Sequence, residues 1–162
     1  MKKLIWMLLL ALTLTAFAAE TPDPFAPYVL AVPQGAVLTE NEGTHTFVDG
    51  HTRAVAIVIP RVPDADPAGA LIRMMAQFEP AAVIGADLPV NPGFHGLTAV
   101  TPDKFGTGVD QLTVMILCDA GDLLILSVYD MDGDTAKAQS LLDALLAGIT
   151  VNGQLLQPIP NS

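Results

Sequence analysis

The stretch Val109-Asp110-Gln111-Leu112-Thr113-Val114-Met115-Ile116-Leu117-Cys118, its turn Asp119-Ala120-Gly121-Asp122, and the return Leu123-Leu124-Ile125-Leu126-Ser127-Val128-Tyr129 decide the fold. Each run is short and rich in β-branched and long apolar residues, and turn residues separate them, so they read as the two strands of a hairpin. Successive side chains of a strand point to opposite faces. Here Leu112, Val114 and Ile116 fall on one side and Met115 and Leu117 on the other. A strand that is apolar on both faces needs cover on both, which places this hairpin in the middle of a sheet packed twice over.

The cover is legible on either side of the hairpin. Downstream, Asp134 is positioned to cap a helix that presents Ala138, Leu141, Leu142, Leu145, Leu146 and Ile149 at helical spacing. Upstream, Asp66-Pro67 reads as an N-cap with proline at the first helical position, followed by Leu71, Met74, Met75 and Phe78 on one face and Pro80 as the stop. Before that helix, Thr44 to Val48 and Thr52 to Ile59 flank Asp49-Gly50, a strong hairpin signal. Two further strands are expected at Tyr28 to Val32, stopped by Pro33-Gln34-Gly35, and at Ala36 to Glu40. Ala81 to Gly108 is broken by glycine and proline and reads as two loops around one strand, Gly96 to Val100; long loops of this kind are where binding function concentrates. The order gives an α+β fold, an antiparallel β-sheet with two helices packed on it.

The opening Tyr28-Val29-Leu30-Ala31-Val32-Pro33-Gln34-Gly35, the hairpin into Arg53 to Ile59, the helix after Asp66, the late hairpin ending Leu123-Leu124-Ile125-Leu126-Ser127 and the closing helix together resemble the PsbP/Mog1 superfamily. The resemblance covers nearly all of the chain after residue 18 and lies in element order and hydrophobic pattern. It implies an αβα sandwich that serves as a scaffold for holding partners, as in accessory subunits of photosynthetic complexes, a nuclear transport factor and small exported bacterial proteins. It carries over no residue-specific role.

The N-terminus reads as an export signal. Lys2 and Lys3 precede an apolar run from Leu4 to Phe17, and Ala16-Phe17-Ala18 gives a small-x-small cleavage pattern with cleavage after Ala18. That run falls short of the ~20 residues a membrane-spanning helix needs. No cysteine follows it to carry a lipid, so no membrane anchor is expected after cleavage and the protein is expected to be secreted or extracytoplasmic. The expected organisation is a signal peptide at 1–18, an extended leader at 19–27 with prolines at 22, 24 and 27, one domain at 28–152, and a tail at 153–162. Cleavage removes two lysines and no acid, so the formal charge moves from −10 to −12. An acidic surface with scattered cations repels phosphate backbones and anionic lipid, and nucleic acid is not an expected partner.

Candidate sites are few. Asp130-Met131-Asp132-Gly133-Asp134-Thr135 sets three carboxylates at alternate positions, as in the first half of a calcium loop, which makes Asp130, Asp132 and Asp134 the metal candidates, with Ca²⁺ the only cofactor considered. Glycine stands fourth and not sixth, and Leu141 occupies the twelfth position where a bidentate acid belongs. A turn that leaves a strand and caps a helix asks for the same residues. A two-residue turn at Asp49-Gly50 pairs Val48 with His51 and His45 with Ala54 and sends the two histidines to opposite faces; His95 lies in the Gly/Pro-rich stretch. All three read as surface or loop residues. Cys118, the only cysteine, ends an apolar run and reads as a buried, inert thiol. No serine stands in a nucleophile turn, and Glu40, Glu42 and Glu79 read as solvated. Met74 and Met75 read as core before binding face. With no catalytic or cofactor signature, the expected role is a non-catalytic exported module that binds an extracytoplasmic protein or small ligand. The alternatives are a small hydrolase assembled from carboxylates and His95, and a weakly calcium-binding structural protein.

Overall fold

In a computed structural model, which describes residue 23 and residues 25–60 and 65–157, the late hairpin sits at the centre of the protein. The expected signal peptide, Met1 to Ala18, lies outside the described residues, as do Pro158 and Pro160. Along the chain run β1 (Tyr28–Leu30), β2 (Val37–Asn41), β3 (Thr44–Asp49), β4 (Thr52–Ile59), α1 (Pro67–Phe78), β5 (Val83–Asp87), β6 (Phe94–Thr101), β7 (Gln111–Cys118), β8 (Leu123–Asp130), α2 (Thr135–Ala147), β9 (Ile149–Val151) and β10 (Gln154–Leu155). Seven strands form one sheet in the order β2-β3-β4-β8-β7-β6-β5, and β1, β9 and β10 form a small second sheet in the order β1-β9-β10. Each pairing is antiparallel. The large sheet is thus two meanders, β2-β3-β4 and β5-β6-β7-β8, joined where β4 pairs with β8 from Thr52↔Asp130 to Ile59↔Leu123.

The fold is α+β, with a helix on each face of the sheet. One face packs Ala54, Ala56, Val58, Leu124, Leu126 and Val128 under Leu141, Leu142, Leu145 and Leu146 of α2, and the small sheet extends this cover with Tyr28, Leu30, Ile149 and Val151. The other packs Leu97, Ala99, Met115, Leu117, Leu123 and Ile125 under Ala70, Leu71, Met74 and Met75 of α1. β7 is buried from Gln111 through Leu117, so its apolar residues on both sides each meet their own layer. Both helices begin as the sequence indicates. Asp66 accepts from the Gly69 amide at 3.1 Å with Pro67 behind it, and Asp134 accepts from the Lys137 amide at 3.2 Å.

Several expectations are corrected. Asp49 pairs with Thr52, so the β3–β4 turn is centred on Gly50-His51, and His45 faces Ala56 in place of Ala54. Gly50 holds a φ of +57° at the first central position, the arrangement of a glycine-first hairpin turn, whereas a turn centred on Asp49-Gly50 would ask Asp49 for a positive φ it does not have. The Gly/Pro-rich segment contains two strands and not one, β5 pairing with β6 along the sheet edge through a register shift between Ile84 and Asp87. Ile149 is not on the last helix. Gly148 ends α2, where an added Cβ would lie 2.8 Å from that of Ala31, and Ile149 opens β9. Tyr28 to Leu30 pairs with β9 and not with the large sheet. The folded unit also reaches beyond 28–152: Phe25, in the expected leader, is 3% exposed, and Leu156, in the expected tail, is fully buried.

Burying a leucine side chain contributes about 2 kcal/mol before any cavity cost. Leu126→Ala, which empties a fully buried position of β8, should therefore lower the unfolding free energy by about 3 kcal/mol. Ser127→Ala, one residue along on the other face, should cost under about 1 kcal/mol. Urea denaturation followed by circular dichroism measures both.

Candidate functional site

A cleft of about 520 Å³ opens where three segments meet at one end of the sheet. Pro33 and Gln34 form one wall, the Gly50-His51 turn a second, and Lys137, Ser140 and Leu141 of α2 the third. Its position follows from the topology. α2 starts beside the end of β8 and covers β4 and β8, which leaves a gap between the helix and the chain that leads into edge strand β2. Ammonium, hydroxyl, imidazole and amide groups and the Asp49 carboxylate line this cleft together with Pro33, Leu141 and Ala144.

The acidic loop at the foot of the cleft holds structure. Asp130 is 1% exposed; one of its oxygens accepts from the Thr52 hydroxyl at 2.7 Å, and the other accepts from the amides of Asp132 at 2.9 Å and Asp134 at 3.2 Å. The Thr52 hydroxyl, against the opposing effect of burial and aided by the two amides and the nearby Lys137 charge, holds the Asp130 carboxyl below the usual carboxylate range. Asp132 lies 2.7 Å from His51 Nδ1, and Asp134 caps α2 and stands 3.5 Å from Lys137 Nζ. The three carboxylates share one loop, and each serves a different set of donors. Among the described residues no three His, Cys, Asp or Glu side chains converge as a metal site would require.

The histidines take three separate positions. His45, half-buried and not at the surface, stacks on Phe25 with ring centroids 3.8 Å apart, and its Nδ1 is buried without a hydrogen-bond partner. His51 stands in the hairpin turn. His95 Nε2 lies 3.1 Å from Asp119, at the rim of a groove of about 190 Å³ whose other lining includes Asp87, Leu71, Ile72, Leu88 and Phe94. Cys118 is half-buried, not wholly buried as the sequence implies, because β7 ends at that residue on the sheet margin. It lies near Tyr28, whose phenol is pushed up by burial and then by the proximity of Asp122 and Cys118. Met74 and Met75 are core residues of the α1 layer.

One polar cluster escaped the sequence. Glu79, read there as solvated, is 6% exposed and forms the C-cap of α1, its amide bonding Met75. Its carboxylate accepts from Lys104 Nζ and from Gln111 Nε2 at 3.0 Å, and Gln111 also reaches the Thr113 hydroxyl at 3.1 Å. Thr101, paired across the ladder with Gln111, buries a hydroxyl that has no partner. A carboxylate at a helix C-terminus is unfavourable on its own, and the lysine offsets it. The only advance signal was an acid between an apolar helical face and Pro80.

Among the described residues no helix is long and apolar enough to cross a membrane. Compared with known proteins, the chain matches no family model and no curated sequence.

Two measurements test these assignments. Lys104→Met leaves a buried carboxylate that keeps Gln111 but loses its cation and should cost about 3 kcal/mol, whereas adding Glu79→Gln to it should recover most of that loss; a double-mutant cycle in urea reads the coupling. Because Asp130 has a depressed folded pKa, the stability it adds is fully present above the ordinary carboxylate range and is lost as pH falls through the folded value. The wild-type advantage over Asp130→Asn should therefore be constant near neutrality and shrink as pH drops below about 4. Denaturation midpoints collected from pH 7 down to pH 3 show whether it does.

Proposed function

We propose that this chain is an exported, non-catalytic binding module whose ligand, a small polar molecule or an extended segment of a partner protein, seats in the cleft between α2 and the β3–β4 turn. The observation that carries the reading is the cleft itself. Its volume falls within the ~300–1,000 Å³ typical of ligand sites, and it brings polar groups from three segments together with the apolar Pro33, Leu141 and Ala144. The leader ending at Ala18 supports an extracytoplasmic destination. The resemblance to PsbP/Mog1 scaffolds, in element order and in the helix-sheet-helix layering, supports a partner-holding role.

The non-catalytic part of the reading rests on how the acid and base groups are used. Asp130 organises a loop, Asp66 and Asp134 cap helices, Glu79 binds Lys104 and Gln111, and His45 stacks on Phe25. Groups used in this way fix backbone and packing geometry and are each held in one position. Lys137, Ser140 and Gln34 present polar ends to the cleft and contribute less to the core, which suits recognition.

A thermal-shift screen of the purified protein against amino acids, short peptides, sugars and nucleotides tests the proposal. One chemical class at about 100 times its dissociation constant should stabilise by ~2.7 kcal/mol. Ser140→Trp, which fills the cleft from an exposed position of α2, should abolish that shift and leave the unliganded melting temperature unchanged. A ligand that stabilises the variant as well as the wild type would place recognition elsewhere.

A further inference from the structure

α1 covers only part of its face. It packs on β6 and β7, because the crossover from β4 in mid-sheet to β5 at the far edge carries it over those strands. Among the described residues no helix lies above the other part, made of β2, β3, β4 and the end of β8. Ladder register puts Thr46, Val48, Val55, Ile57, Ser127 and Tyr129 on this surface, all half-buried, with Tyr129 at its corner packed against Phe105 of the β6–β7 connection at 5.0 Å between ring centroids. The chain has 17 acidic residues and a formal charge of −10, yet none of the side chains that these four strands direct to this face is acidic. Its one charge is Arg53, which donates to the carbonyls of Gly50 at 2.7 Å and Thr52 at 3.1 Å. On the same strands, the opposite face and the turns carry Glu40, Asp49 and Asp130.

We propose that this helix-free half of the sheet is the contact face of a twofold dimer of this chain. Two copies of an acidic protein repel wherever acids meet, and this face lets them approach without that repulsion. A twofold interface needs a surface complementary to itself, and a face of threonine, valine and isoleucine with no acidic group meets the requirement. The step formed by α1 fits the same geometry. Facing sheets pack about 10 Å apart, close to the ~10 Å diameter of a helix. With the axis parallel to the strands between β3 and β4, each α1 passes outside the partner's β2 and covers that edge. β2 is otherwise an unprotected edge whose Val37 is 64% exposed, and an edge of this kind is normally covered or charged. The apolar groove of about 220 Å³ beside α1, lined by Ile59, Met74, Phe78 and Ile125, then lies at the border of the contact. The binding cleft stays open, since it lies on the α2 side of the sheet.

Sedimentation equilibrium of the purified protein from about 1 to 100 μM should show a monomer–dimer equilibrium. Thr46 and Val55 pair directly across β3 and β4, beside the axis, so one charge placed there faces its own copy. Val55→Glu should weaken dimerisation about tenfold or more with an unchanged circular dichroism spectrum. Mixing Val55→Glu with Val55→Lys should restore dimers, now as heterodimers, a rescue that a folding defect would not give. If Val55→Glu does not fold, Thr46→Glu mixed with Thr46→Lys makes the same test. A protein that stays monomeric at the highest concentration, a dimer indifferent to these charges, or a mixture that fails to pair would each overturn the proposal, and a monomer would leave the face to a different protein.

Discussion

Everything in this fold hangs on the ladder between β4 and β8. Among the described residues it is the only place where the two meanders touch as strands, and it runs the full eight-residue length of both. Its α2 face is built for close approach. Ala54 and Ala56 contribute almost no side-chain bulk, so the leucines of α2 reach Leu124, Leu126 and Val128 on the neighbouring strand. Larger residues on β4 would lift the helix from the sheet and open voids that a close-packed interior does not tolerate. The pairing therefore sets both the continuity of the sheet and the height at which α2 lies over it.

Polar groups finish what the apolar layers begin. The Thr52↔Asp130 pair closes the ladder with a buried hydrogen bond, and the same carboxylate fixes the loop from which α2 departs. On the opposite face, Glu79 ties the end of α1 to Gln111 at the start of β7 and to Lys104 in the β6–β7 connection. Each helix is thus anchored at one end by a carboxylate bound to the sheet, and its apolar face completes the contact. Packing alone is non-directional, and these bonds fix where each helix lies along its layer.

How much of this was legible depends on where the information resides. β7, β8 and the two helix starts could be read locally, because a doubly apolar strand and an Asp cap each state their own environment. β5 could not. Val83-Ile84-Gly85-Ala86-Asp87 is exposed throughout and lies between prolines, and its strand character comes from pairing with β6. Ile149 continues the spacing of the helix before it, and its pairing with Leu30 of β1 is what makes it a strand residue. The β3–β4 register turned on which pair of residues forms the turn, a choice that an Asp-Gly signal leaves open by one position. Within the candidate site, the cap at Asp134 was readable, but the burial of Glu79 and the joining of Gln34, His51 and Ser140 around one cleft exist only in three dimensions.

The surfaces left for function follow from the same two crossovers. A seven-stranded sheet is wider than one helix, and the described residues supply one helix for each face. α1 must travel from mid-sheet to one edge, and so covers that side. α2 leaves from mid-sheet and ends at β9, where the small sheet takes over the cover. What remains open is, on the α2 side, a cleft rich in polar groups at the β3–β4 turn and, on the α1 side, the face of β2, β3 and β4, to which these strands direct no acid. The proposed ligand cleft and the proposed dimer face therefore lie on opposite sides of one thin meander, so that occupation of either would leave the other exposed to solvent.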